Sequence, residues 1–203
     1  MTLYKVLCNI KLMGEALRRT ASAGVASAAF GAAVGSYVGG MQIVYAAIKM
    51  PLFLLGTGAV CAAAILVLSA APLSPSRAME TALKTISMPA AMLGALAPPL
   101  FLLGISTPKP APRGYLGMVV ALTLAVGLAG VISVAKLRRE LPTPWLWLAW
   151  IGLYGFVGAQ MAWLLKPWIG CTLAADRFLP LSENLHGNFY EAAWGAVVGL
   201  IRS

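Results

Sequence analysis

Charge is what this chain has least of. Only 10% of its 203 residues are charged, against about a quarter in ordinary soluble domains. From Thr20 to Ala135 the charged residues are Lys49, Arg77, Glu80, Lys84, Lys109 and Arg113, set between long apolar runs. A Lys, Arg or Asp at the bilayer centre costs about 2.5–3.5 kcal/mol even on lenient insertion scales. Charge-free runs of about 20 residues are therefore written for lipid. With 60% hydrophobic residues and a mean hydropathy of +0.84, the chain carries more apolar surface than a soluble core of this length can hide. Disorder is excluded for the same reason.

Acidic residues and histidine are scarcer still, with six Asp and Glu and a single His. None of them falls within an expected span, so the chain offers no proton relay of the kind that pumps and carriers place there. His186 and Glu183 are too few ligands for a zinc site. No HExxH, paired intramembrane carboxylates or Ser/His arrangement points to an enzyme, and no cofactor is expected. The three cysteines, Cys8, Cys61 and Cys171, lack metal or redox spacing. The topology below puts them cytoplasmic, mid-membrane and external, so no intrachain disulfide is expected. The net charge of +9 comes from basic residues in ones and twos, without the stripe or aromatic platform of a nucleic-acid binder.

What is present reads as an all-α integral membrane protein, a bundle of about five transmembrane helices. The expected spans are 21–44, 51–71, 81–105, 115–135 and 145–165. Residues 1–20 form a cytoplasmic N-terminal segment, 21–166 the bundle, and 167–203 an external tail with a short interfacial amphipathic helix. Pro51 suits the first turn of the second span. Pro72, Pro75, Pro108, Pro110, Pro112, Pro142, Pro144 and Pro167 fall in or beside loops. An N-in, C-out orientation gathers Lys5, Lys11, Arg18, Arg19, Arg77, Lys84, Lys136, Arg138 and Arg139 inside, an excess in keeping with the positive-inside rule. Lys49 would lie in a very short connection and snorkel to the interface. Arg18-Arg19 ahead of a soft apolar run also evokes a twin-arginine signal, although an uncleaved first span is the better reading.

Ala23, Ser27, Gly31, Gly35 and Gly39 recur at every fourth position and make one smooth helix face. Such faces let membrane helices approach closely, either inside the bundle, the favoured reading, or toward a second copy or a partner. Gly152, Gly155, Gly158 and Ala159 form a second smooth face, and the two faces are candidates to pack together. Pro89 and Pro98-Pro99 predict a kinked or broken third span. Gln160 and Tyr154 are the most polar side chains of the fifth span, while Trp145, Trp147, Trp150, Trp163 and Trp168 suit interfacial belts. In the tail, Asn188, Phe189, Tyr190 and Glu191 lead into the apolar stretch 192–201, too short to span. Asn188 is the expected N-cap, and these four residues are the expected tail contacts.

Two stretches carry a resemblance. Tyr45-Ala-Ala-Ile-Lys-Met-Pro-Leu-Phe-Leu-Leu55 is one; the other is Gly158-Ala-Gln-Met-Ala-Trp163 with Lys166-Pro-Trp-Ile-Gly170 and Gly187-Asn-Phe-Tyr-Glu191. They resemble bacterial multi-pass membrane proteins of the Yip1-like type. The resemblance implies a helical bundle of about five spans in the bacterial inner membrane, without enzymatic activity. Yip1-type proteins of eukaryotes act in membrane trafficking through protein partners. The expectation is a non-catalytic scaffold or accessory subunit whose partners are the lipid bilayer and other membrane subunits or a second copy. The alternative is a small channel or transporter component, motivated by Lys49 and the proline-rich third span.

Overall fold

The computed structural model describes residues 2–68, 75–109, 112–138, 144–166, 168–169, 178–179 and 190–191. Among them the chain is all helical: α1 (Thr2–Gly35), α2 (Met41–Leu68), α3 (Pro75–Ser106), α4 (Pro112–Leu137) and α5 (Pro144–Leu164). Three of α1–α5 begin on proline, whose fixed φ and missing N–H suit a first helical turn. Three helical segments are long and apolar enough to cross a membrane: Met41–Ala64, Leu83–Ser106 and Gly114–Leu137.

The least apolar helix occupies the middle. α1 packs most broadly on α3 and α2, α4 lies on α3, and α5 lies on α2, while α4 and α5 meet only narrowly. Ala23, Phe30, Ala33 and Val34 of α1 join Met50, Phe53 and Leu54 of α2 and Ala90, Leu93 and Ala97 of α3 in the main core. α4 is the opposite case, with only 11% of its span buried inside the protein. Lipid thus takes the most apolar surface, and the Ala, Gly and Ser of α1 go where backbones must come close.

The first two expected spans are redrawn. The chain turns at 36–40, inside the expected span 21–44, and α2 starts at Met41, so Pro51 sits inside a helix rather than at its start. The turn uses Gly39 at φ +85 and Gly40 at φ +57, a left-handed geometry that costs an L side chain about 1–2 kcal/mol. The Gly39 N–H bonds the Gly35 carbonyl at 3.0 Å, so Gly39 belongs to the turn and not to the α1 face. α3 likewise runs as one helix through Pro89, Pro98 and Pro99, so no broken helix forms there. Protein neighbours and local adjustments re-satisfy backbone groups freed by proline at membrane depth.

Helix ends meet at one end of the bundle. Lys109 Nζ, after α3, donates to the Ser36 carbonyl at 3.4 Å and stands 5.6 Å from the Tyr37 ring centroid. The Trp168 indole N–H, after α5, donates to the Ala162 carbonyl at 2.9 Å. Both serve carbonyls of a last helical turn, which have no partner within the helix.

Candidate functional site on the inner face of α2

α2 has two very different neighbours. On the α1 side a Cβ built on Gly31 would collide with the Ala46 carbonyl oxygen, and one on Gly35 would lie 2.5 Å from the Gln42 carbonyl oxygen. Ser27, one turn further, is buried and returns its hydroxyl to the Ala23 carbonyl at 2.7 Å. Ser27, Gly31 and Gly35 therefore lie in the interior, where Gly31 and Gly35 bring the α1 and α2 backbones into contact.

The α5 side is built from side chains. Gly56 faces the Met161 methyl, and Gly158 faces Thr57 and Phe53. Ala159 and Gln160 are half-buried. Gly152 and Gly155 are exposed, with none of the other described residues within 4 Å of a built Cβ. The α1 and α5 small faces do not pack together: Gly31 and Gly35 meet α2, and of the α5 glycines only Gly158 does.

Lys49 is the largest departure from the sequence reading. It stands two turns into α2, about 12 Å from the helix start at 1.5 Å per residue, and is fully buried. It does not snorkel from a loop. Its ammonium lies 5.6 Å from the Phe178 ring centroid, and Phe178 also meets Tyr45, one turn before Lys49, at 5.3 Å. One turn beyond, Phe53 takes the Trp168 ring edge-on at 5.6 Å. Gln42 Nε2 donates to the Trp168 carbonyl at 3.0 Å. Leu165 and Ile169 are buried in the same core as Phe53. Trp168 and Phe178, described residues after α5, thus lie over the first half of α2, and Phe178 stands over Lys49. An ionisable group within a span marks a functional site by default, whereas the sequence placed Lys49 in a loop and gave it a part only in the channel alternative. The Gly39-Gly40 pair was the available signal, since a glycine break there starts the next helix early enough to enclose Lys49.

Further along α2, Cys61 is buried as a free thiol in a second core with Trp150 of α5 and Leu137 of α4, against which Tyr154 packs. Trp150 is therefore an interior residue and not part of an interfacial belt. Trp145 is exposed, and Trp147 donates its indole N–H to the Val134 carbonyl at 3.0 Å beneath the Arg138 guanidinium. Lys166 lies over the Trp163 ring. Among the described residues no three His, Cys, Asp or Glu come together as metal ligands.

Of the expected tail contacts, Tyr190 stacks on Phe156 of α5, with centroids 5.5 Å apart, and its hydroxyl donates to the Phe156 carbonyl at 3.3 Å. Glu191 is exposed beside it. Asn188 with its capping role, Phe189, Glu183, His186, Cys171 and the apolar stretch 192–201 lie outside the described residues. No family model matches the chain, nor does any curated protein or solved structure.

Proposed function

We propose that this protein is a non-catalytic scaffold or accessory subunit of a membrane protein complex in the bacterial cytoplasmic membrane. It would cross the bilayer five times with its N-terminus inside and its C-terminus outside. The observation that carries the reading is the outward face of α5. Among the described residues Gly152 and Gly155 lie open there, while Gly31 and Gly35 of α1 are already occupied by α2. An open small-residue face is where another membrane helix approaches without side chains in the way. Tyr190 stacked on Phe156, next to Gly155, brings the tail to the same helix, so one partner would meet both. The Yip1-like resemblance of 45–55 and 158–163 points the same way by analogy. Crosslinking in native membranes followed by separation in mild detergent tests the proposal. A discrete assembly with a co-purifying subunit or a second copy is expected; monomer alone would refute it.

A channel or transporter component is the second reading, favoured by the Lys49 ammonium inside a span. α3 runs as one helix, so a broken helix is no part of its support. Anion flux in proteoliposomes that falls on Lys49→Ala would support it, and unchanged flux would remove Lys49 from consideration.

A further inference from the structure

Two buried polar groups of the bundle stand apart from their own kind. Thr20, Ser27, Ser36, Thr107, Thr123 and Ser133 each return the hydroxyl to a carbonyl three or four residues back. Thr57 is 0% exposed, yet its Oγ1 has no hydrogen-bond partner among the described residues. Trp147 and Trp168 both give their indole N–H to a backbone carbonyl. Trp150 is 1% exposed, and its Nε1 has no such partner. Thr57 and Trp150 belong to the same contact, between α2 and α5. Cys61 links them, one turn from Thr57 on α2 and in the same buried cluster as Trp150.

From these two groups we infer internal water in the α2–α5 interface, one molecule accepting the Trp150 N–H and another pairing with the Thr57 hydroxyl, since Gly158, opposite Thr57, stands eight residues, about 12 Å, from Trp150 along α5. Buried polar groups are satisfied in nearly every native structure, and where the protein supplies no partner the usual one is ordered water. Within a span the requirement is stricter, because lipid supplies no hydrogen bond. A buried water makes about three hydrogen bonds. The Cys61 thiol and the Tyr154 hydroxyl, both packed with Trp150, offer the further partners that the two groups alone do not provide. Toward Lys49 the seam is closed by the edge-on pair Phe53 and Trp168. The ligand class is therefore water enclosed in the bundle, and the α2–α5 contact is a wet contact between otherwise dry helices.

Protein carrying 15N-labelled tryptophan in bilayers gives the direct test, by magnetisation transfer from water to the indole N–H groups. Trp150→Phe assigns the Trp150 peak, and exposed Trp145 is the positive control. The Trp150 indole is expected to receive magnetisation from water despite its burial. Thr57→Val, nearly the same shape without the hydroxyl, is expected to lower the melting temperature by about 2–4 °C, because it removes the group that holds the water on the Thr57 side. A silent Trp150 indole beside a responding Trp145 would overturn the inference. So would a melting temperature unchanged or raised by Thr57→Val, the result for a hydroxyl buried dry.

Discussion

α2 meets α1 and α5 through glycines on both sides, and the two contacts work differently. Against α1, Gly31 and Gly35 bring backbone to backbone, with the carbonyls of Ala46 and Gln42 filling the space a Cβ would need. Against α5, Gly56 faces the end of Met161 and Gly158 faces Thr57 and Phe53, all side chains. A glycine facing a carbonyl fixes two helix axes in place, since no rotamer relieves a collision there. A glycine facing the tip of a methionine leaves the contact adjustable, because that side chain repacks easily. The α1–α2 pair is the rigid hairpin of the molecule, and α5 is fitted to it through side chains.

Substitution at Gly31 should break the rigid side. Gly31→Ala drives its methyl into the Ala46 carbonyl oxygen, and relief requires moving one helix against the other. The expected loss is at the upper end of overpacking costs, about 3 kcal/mol, read as a lowered midpoint in denaturant titration of the detergent-solubilised protein. A variant as stable as the parent would mean that α1 and α2 are not in backbone contact.

That contact was partly legible. Ser27, Gly31 and Gly35 stand out in the sequence because small residues every fourth position have few other uses in a span. Gly39 continues the spacing but belongs to the turn, and periodicity cannot separate a face residue from the glycine that ends the helix. Position 39 is followed by a second glycine, and a pair with positive φ stops a helix. A first span carried through the pair starts α2 ten residues late, at Pro51 rather than Met41, and leaves Lys49 in a loop. Trp150 was misplaced for another reason. Tryptophan prefers interfaces in general, and only the partner helices, through Cys61 and Leu137, draw this one inside. The helical character of the chain follows from hydropathy alone, whereas which helix sits centrally follows from packing that hydropathy does not encode.

Smaller effects are expected on the adjustable side. Trp168→Phe keeps a ring against Phe53 and deletes the N–H that serves the Ala162 carbonyl. The loss of one hydrogen bond at a helix end should cost about 1 kcal/mol, seen in the same titration. It should also speed proteolysis of the segment after α5, which Trp168 anchors; unchanged proteolysis would show that Gln42 and the buried Leu165 and Ile169 hold the segment without the indole. Gly56→Ala should cost less still, under about 1 kcal/mol, because only the Met161 methyl, 2.6 Å from the new Cβ, has to swing away. A loss as large as that of Gly31→Ala would put the two contacts in one class and remove the distinction between them.

The smallest expected effect on stability carries the most weight for function. Gly155 has none of the described residues within 4 Å of a built Cβ, so Gly155→Leu starts a side chain in open space. Its unfolding midpoint in detergent should match the parent. If the open face of α5 receives another helix, the same leucine holds the two backbones apart, and the assembly recovered from native membranes by crosslinking should be lost or reduced at least about tenfold, the equivalent of 1.4 kcal/mol in association. Gly117→Leu on α4, also open, supplies the control for a bulky residue added to a lipid-facing helix. Loss of the assembly with Gly155→Leu and its survival with Gly117→Leu would locate the partner on α5. Equal survival of both would leave the glycines of that helix facing lipid alone, and the docking role of α5 would be withdrawn.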